Sequence, residues 1–288
     1  GGGDDAHHGG GALREDGQCG MSEHSHAFAD SARDVFGHLA RAAEAAARQA
    51  VATSAATPAT EGKAKVHYGR LAPLADARAL WRTMADAGWL GILVAESGGG
   101  LGLAEEDAMA IAEVAGRHPR QPALLVAATQ VASCLDGLAT ARAEALRASF
   151  LAGDVLAGLA WQERTGQLDA AASGITLRPD AGGWRLSGRT IAVSPVGEAD
   201  GWLVLAADAA GPVLAWVARG AQGLDVQAEA CADGSDIGSL VFADVQVDAA
   251  DVLARGPDVV ARVQRANDRA RLVQAAMLAG LADQVLAQ

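Results

Sequence analysis

The sequence predicts a multi-domain α+β protein: an N-terminal α-helical domain, a central antiparallel β-domain and a short C-terminal helical domain. Helical periodicity runs through residues 28–153 and returns over 255–288. Between them, residues 154–254 consist of short alternating or apolar segments separated by turn residues, which is typical of antiparallel strands. Because helices and strands are segregated along the chain, the order does not suit a parallel doubly wound sheet.

The composition excludes several classes of protein. The chain has 288 residues, half of them hydrophobic, but it has no apolar run long enough to predict a membrane span. A net charge of -12 disfavours nucleic acid as a partner, because phosphate binding requires clustered Lys and Arg. Cys19, Cys134 and Cys231 are odd in number and far apart, which predicts neither disulfides nor a zinc site. A reducing, cytoplasmic location is therefore expected.

Residues 1–27 are interpreted as a disordered leader that includes Met21 as a plausible start. The segment is rich in Gly, His and acidic residues and has no apolar core of a signal peptide. Its histidines allow adventitious metal binding, but no metal site is predicted in such a context. These histidines are His7, His8, His24 and His26.

Two helices are predicted before residue 88. Alanine-rich periodicity predicts the first over Ser31–Val51, and a polar loop follows at 53–65. The second is predicted over Leu74–Ala87, ended by Gly88, because glycine tolerates the positive φ of a helix C-terminus.

A glycine cluster at residues 98–102 precedes the next predicted helix. Glycine-rich loops before helices can hold phosphate. Here no βαβ unit surrounds the loop, and three acids at 105–107 would repel an anion, so a phosphate site is not favoured. Further helical sequence follows from Leu124 to Ala152, with its core candidates being Leu135, Leu138, Ala145, Leu146 and Phe150.

The last predicted helix carries an apolar stripe. Its members are Val259, Val263, Leu272, Val273, Met277, Leu281 and Val285.

Four stretches of this chain resemble the acyl-CoA dehydrogenase family. Residues 86–116 resemble its signature of a helix ending in Gly, an apolar run and a Gly-Gly-x-Gly turn, although Ala95 stands where the family usually has proline. Segments 159–169, 184–206 and 235–254 resemble the strands of its middle β-domain. The resemblance extends over Phe28–Gln288 and implies a divergent member with a truncated C-terminal helical domain.

The resemblance implies FAD as cofactor, an acyl-CoA thioester as substrate, and a homo- or hetero-oligomer. Dehydrogenation of this kind requires a carboxylate base for the α-proton, a bound flavin for the hydride, and hydrogen bonds to the thioester carbonyl. Each requirement has a matching position in this chain.

The first flavin motif, Thr-Glu-Pro-x-Ala-Gly-Ser-Asp in the family, aligns with residues 162–169, and Trp161 precedes it. Glu163 and Asp169 are retained. Gln162 replaces the threonine, Arg164 the proline and Leu168 the serine that contacts acyl-CoA. Gln162 can still donate a hydrogen bond, whereas Leu168 cannot.

The second flavin motif aligns with Gly188–Pro195. Ile191 is assigned to the position of the family's tryptophan and Val193 to that of its hydroxyl residue. The resemblance thus implies Trp161, Gln162 and Ser194 as cofactor-binding candidates.

The third motif matches mainly at strand positions, where Phe242, Val245 and Val247 alternate because one face of the strand is buried. Asp233 and Asp248 stand where the family has arginine and proline.

The resemblance places no carboxylate at either location that the family uses for the base. The location that most members use lies beyond Gln288, and the one on the first long C-terminal helix is occupied by Ala270. Asp268 and Arg271 match residues that contact acyl-CoA, but an exposed ion pair between them is an equal alternative. Asp268 lies about 200° around the helix from position 270, so it is not a substitute base.

Two main functions follow. The first is a divergent or partner-dependent acyl-CoA dehydrogenase subunit for flavin-linked α,β-dehydrogenation. The alternative is a non-redox scaffold, such as an acyl-thioester-binding protein that has lost its flavin. A flavin-dependent hydroxylase on the same fold needs no glutamate base and is a third possibility, although it also requires a flavin pocket.

Overall fold

The computed structural model describes residues 23–54, 77–118, 122–170, 173–231 and 235–287. The N-terminal helices are α1 (Glu23–Ser54), α2 (Ala77–Asp86), α3 (Glu105–Gly116), α4 (Pro122–Leu135) and α5 (Ala141–Leu151), and the C-terminal helix is α6 (Asp258–Leu286). Between them lie β1 (Ala157–Ala160), β2 (Thr176–Asp180), β3 (Gly183–Val193), β4 (Gly201–Asp208), β5 (Gly211–Ala218), β6 (Leu224–Ala230), β7 (Asp236–Val247) and β8 (Val252–Arg255). In the described ranges, no helix is long and apolar enough to cross a membrane.

The N-terminal boundary of the fold lies earlier than the sequence predicts. Helix α1 begins at Glu23, and Ser25 is fully buried, with its hydroxyl donating to Asp107 Oδ1 at 2.7 Å. Residues 23–27 thus belong to the helical domain, since their contact with α3 outweighs their polar composition. His24 and His26 are exposed on α1, whereas His7 and His8 lie outside the described residues. Among the described residues, no cluster of His, Cys, Asp or Glu is arranged to hold a metal.

The glycine cluster forms a tight turn closed by its own amides. Gly98 N and Gly100 N both donate to Ala95 O, at 2.8 and 3.1 Å. A Cβ on Gly100 would lie 2.2 Å from Val94 O, so only glycine fits there. Ala95 N donates to Asp136 Oδ1 at 3.1 Å, a bond that proline cannot make, which gives a physical reason for alanine at this position.

The strands form one sheet in the order β6-β7-β3-β2-β4-β5-β8, with β1 paired to β4. The β2-β3 and β4-β5 hairpins are antiparallel, as predicted. Two pairings are parallel, β1 with β4 and β2 with β4, so the sheet is mixed, although most of its pairings are antiparallel as predicted. The β2-β3 hairpin lies between β1 and β4 in the chain and provides the long connection that a parallel pair requires.

Helix α6 packs against α3 through two glycines. A Cβ on Gly280 would lie 1.9 Å from Glu113 O, and one on Gly116 would lie 1.9 Å from Met277 O. The two helix backbones therefore approach more closely than any side chain would allow. On α6, Val259, Val263, Val273 and Met277 are buried as predicted, but Leu272, Leu281 and Val285 are exposed.

Most other predicted core residues are buried. Leu135, Leu138, Leu146 and Phe150 are in the helical core, whereas Ala145 is exposed and Ala143 takes the inward position. The alternating residues of β7 are buried as well: Phe242, Val245 and Val247.

Asp200 joins the helical domain to the β-domain. Arg78 on α2 donates to both of its carboxylate oxygens, at 2.6 and 3.1 Å, and Leu156 N donates at 2.8 Å. Burial opposes ionisation, but the bonds from Arg78 and Leu156 outweigh it and lower the pKa of Asp200. A charged group at this junction thus fixes the start of β1 relative to α2.

Candidate functional site

The loop after β1, residues 161–170, is shaped by the retained Glu163. Its carboxylate accepts from Ser173 Oγ and Gly174 N, both at 2.8 Å, and its own N–H donates to Gln167 Oε1 at 2.9 Å. A Cβ on Gly174 would lie 2.6 Å from Glu163 Oε2, so this contact requires glycine. Glu163 therefore has a structural role in the loop.

The two flavin motifs meet at the end of β1. Ile191 N donates to Gln162 O at 2.7 Å, which places β3 beside the first motif. A Cβ added to Gly158 would lie 2.7 Å from Ser194 O. The backbone at Ser194 therefore passes close to β1. The structure thus brings Trp161, Gln162 and Ser194 to one edge of the sheet.

The end of β3 is irregular, and this changes the interpretation of the second motif. The register with β7 shifts between Thr190 and Val193, and Ala192 has a φ of 52°. Such a bulge changes which face of the sheet each side chain takes. Val193 is 1% exposed and lies in the β-domain core, and its assignment to the family's hydroxyl position stays a prediction. Ser194 Oγ is buried and has no hydrogen-bond partner within the part of the chain that the structure describes.

On α6, the two substrate-binding candidates bond to each other and to the loop. Arg271 Nη1 donates to Asp268 Oδ1 at 2.5 Å, and Arg271 Nη2 donates to Leu168 O. Gln264 accepts from Ala170 N at 2.9 Å and donates to Asp268 at 3.0 Å. The predicted ion pair is therefore present, and these groups fasten the loop to α6.

The position expected for the base is buried. Ala270 is 3% exposed, and its methyl group cannot accept a proton. Asp268 is exposed two residues away, which confirms that it points elsewhere.

A polar pair between α4 and α6 was not predicted from the sequence. Gln130 Nε2 donates to Asn267 Oδ1 at 2.9 Å. Asn267 is 3% exposed, and its Nδ2 has no partner. The available signal was Gln130, the one amide side chain in the largely apolar α4. A small cavity lies on another side of α4, about 150° around the helix from Gln130. Its lining residues are Trp89, Leu90, Ile92, Leu93, Ala108, Leu125, Ala128, Thr129 and Ala132.

The residues present fit one edge of a flavin ring. Ser194 has an unused hydroxyl, and Trp161 offers a half-buried ring. Gln162 Nε2 makes only a 3.3 Å bond to Arg164 O, so its amide can be redirected. Ile191 adds an apolar contact and no donor. These groups can hold the ring edge, but they do not form a complete flavin site.

The family comparison agrees with this architecture. Residues 40–154 match the acyl-CoA dehydrogenase N-terminal domain. No curated protein sequence is significantly similar to this chain.

Solved structures cover most of the chain. A variant of the Tcur3481-Tcur3483 steroid ACAD is 28% identical over 93% of this chain, with a TM-score of 0.65. The FAD complex of PigA is 17% identical over 94%, with a TM-score of 0.73. A glutaryl-CoA dehydrogenase from Mycobacterium smegmatis with FADH2 is 15% identical over 93%, with a TM-score of 0.69.

The chain accounts for 66%, 68% and 64% of those three chains, or about two thirds of their length. The N-terminal match, the order of helices and strands, and the shared fold lead to one conclusion. The described part of the chain has an acyl-CoA dehydrogenase-like fold, and residues 40–154 match the N-terminal domain of that family.

Proposed function

We propose that this chain is a partner-dependent subunit for flavin-linked α,β-dehydrogenation of an acyl-CoA thioester. The buried Ala270 at the base position carries the proposal, because no proton acceptor exists there. A homologous chain in the same assembly would supply the carboxylate. The two-chain name of the Tcur3481-Tcur3483 steroid ACAD supports an assembly of this kind.

A bound FAD would supply the acceptor for the hydride that leaves the β-carbon. This chain's contribution is binding and orientation. Ser194 Oγ and the Gln162 amide would hold the ring edge, and Trp161 would cover part of the ring. Asp268 and Arg271 would keep the adjacent loop on α6, and their exposed sides would meet the polar part of the thioester ligand.

Co-expression with a complete homologue tests the proposal. We expect the isolated chain to be colourless and inactive in a dye-linked acyl-CoA oxidation assay. The purified complex should show flavin absorbance and oxidise acyl-CoA. Within the complex, Ala270→Gly should change turnover by less than about twofold, because the methyl group takes no part in proton transfer. Replacing the partner's base by glutamine should abolish turnover.

The non-redox scaffold is the second candidate. Ile191 favours this candidate, because isoleucine lacks the aromatic ring of the tryptophan that the family has at this position of the flavin motif. Under this alternative, the complex also lacks flavin absorbance. Acyl-CoA binding, measured by calorimetry, would then persist without oxidation.

A further inference from the structure

Two polar groups without a bond are buried in the contact between α4 and α6. Asn267 on α6 is 3% exposed, and Ser133 on α4 is 7% exposed. Within the described part of the chain, neither Asn267 Nδ2 nor Ser133 Oγ has a hydrogen-bond partner. Burying a polar group without a bond costs free energy, so binding of a ligand atom or a water molecule that completes the bond is favoured.

The two helices run antiparallel, which places these groups at one level. Gln130 on α4 bonds to Asn267, and Arg262 Nη1 on α6 donates to Cys134 O at 3.3 Å. Ser133 lies between these two contacts along α4, so it is level with the turn of α6 that precedes Asn267. Gln130, Ser133 and Asn267 thus form one group, called the α4-α6 polar cluster here.

Gln130 fixes the orientation of the Asn267 amide. Its Nε2 donates to Asn267 Oδ1 at 2.9 Å, which uses the acceptor end of that amide and leaves Nδ2 as the available donor. Without this bond, the two ends of the amide could exchange places. The cluster therefore offers an N–H group, and its complement is a hydrogen-bond acceptor such as a carbonyl or hydroxyl oxygen.

The α4-α6 polar cluster lies one helical turn from the position expected for the base. Asn267 and Ala270 are three residues apart on α6, so they lie on neighbouring sides of the helix, about 4.5 Å apart along its axis. Gln264 accepts from Ala170 N, so the loop after β1 meets α6 one turn before the cluster. Because Gln130 is only half-buried, the cluster is partly accessible from outside.

We propose that Asn267, oriented by Gln130, determines specificity by donating a hydrogen bond to an oxygen on the acyl chain of the ligand. This rests on the proposed function, which places the α-carbon of the thioester ligand beside residue 270. A distance of about 4.5 Å corresponds to roughly three C–C bonds of about 1.5 Å each. The preferred ligand is therefore an acyl-CoA with a ketone or hydroxyl group about three bonds beyond its α-carbon. A purely alkyl chain leaves the buried N–H without a partner.

Calorimetric titration with hexanoyl-CoA and with its derivative carrying a ketone at the fifth carbon tests the proposal. The full chain is titrated alone and in the co-expressed complex. The two compounds share the thioester and the CoA group, so a difference in affinity reports on the ketone. We expect the ketone derivative to bind about 5- to 10-fold more tightly, which is the effect of one hydrogen bond.

Substitutions in this chain assign the preference to Asn267. Asn267→Leu should abolish it, because leucine has nearly the same shape but no donor. Gln130→Leu should reduce it, since the Asn267 amide is no longer held. Gln274→Leu is the matched control at an exposed position of α6 and should keep the wild-type preference. Thermal melts confirm that each variant is folded, and the wild-type comparison of the two ligands requires no variant.

Three outcomes would overturn the specificity role. They are equal affinity of the wild type for the two compounds, no binding of either compound, and a preference that Asn267→Leu leaves intact. The first would leave the cluster as a site for buried water. Oxidation of both compounds at equal affinity removes only the specificity role, whereas selective binding without oxidation removes only the proposed dehydrogenation.

Discussion

The two sides of the candidate site differ in the hydrogen bonding of their polar groups. On the sheet side, Ser194 Oγ has no hydrogen-bond partner among the described residues, and the Gln162 side-chain amide donates one long bond to Arg164 O. On the α6 side, Asp268 and Arg271 are paired, and the base position is a buried alanine. Under the proposed function, the first side would contact the cofactor, and the second side would offer no proton acceptor at residue 270.

Under the proposed function, the sheet side would hold the edge of the flavin ring, and a partner would supply the proton acceptor. The α6 side is held in place by backbone contact with α3 and by bonds to the loop. Substitutions on the α6 side should therefore change stability, whereas substitutions on the sheet side should change flavin retention.

The largest expected effect on stability comes from Gly280→Ala on α6. The new Cβ would overlap Glu113 O and force α3 and α6 apart, which costs about 2 kcal/mol of unfolding free energy. Urea denaturation measures the change. Gly37→Ala is the control, because its Cβ meets only Arg41 Nη1 at 3.5 Å in helix α1. That variant should be stabilised by up to about 1 kcal/mol, and an equal loss in both variants would contradict the close crossing.

Ser194→Ala tests the sheet side. Removing the unpartnered hydroxyl should leave unfolding free energy unchanged or raise it by up to about 1 kcal/mol. In the co-expressed complex, flavin retention should fall about 3- to 10-fold through loss of one hydrogen bond. Absorbance after dialysis measures retention. Ser187→Ala removes a hydroxyl bonded to Asp244 Oδ1 at 2.7 Å and should not affect flavin. Equal flavin retention in both variants would count against Ser194.

The hydrogen-bonded junction at Asp200 should contribute less to the free energy of unfolding in acid. The folded-state pKa of Asp200 is lowered, so its stabilisation is complete above the unfolded pKa of about 3.9. It is lost as pH falls through the lower folded pKa. Asp200→Asn should cost about 1 kcal/mol at pH 7, and the difference from wild type should shrink below about pH 4. Denaturation at several pH values measures it, and a difference independent of pH would contradict the ionic role.

The smallest effect is expected for Arg271→Ala. Its ion pair with Asp268 is exposed and should contribute only about 0.2–0.5 kcal/mol. A double-mutant cycle with Asp268→Ala measures the coupling. Proteolysis of the loop at 164–168 should become faster, because the bond from Arg271 to Leu168 O is lost. A coupling energy above about 1 kcal/mol would show that the pair is not a weak, solvent-exposed ion pair.

Much of the fold was predictable from local pattern. Glycine at 88 has the expected positive φ of 75°, and the β2-β3 and β4-β5 hairpins follow the turn residues. The parallel pairing of β1 was not predictable, because strand order depends on contacts between residues distant in sequence. The bulge at Ala192 was also not predicted from the sequence.

The cofactor-binding role of Trp161, Gln162 and Ser194 stays a prediction. The structure places the first two directly after β1 and the third directly after β3. Spacing alone did not reveal that Gln264 fastens the loop to α6 or that Gln130 reaches Asn267. Both contacts cross between elements far apart in the chain. The exposure of Leu281 and Val285 was not predictable from the sequence either, because an apolar stripe predicts burial but does not identify the surface that covers it.

The central claim of the proposed function is that this chain depends on a partner to remove the α-proton of an acyl-CoA. Deuterium exchange at the α-carbon tests it most directly, with acyl-CoA incubated in D2O and its mass followed over time. The isolated chain with added FAD should show exchange no faster than buffer, because Ala270 has no proton acceptor, whereas the complex with a complete homologue should accelerate it. Accelerated exchange by the isolated chain would contradict the claim.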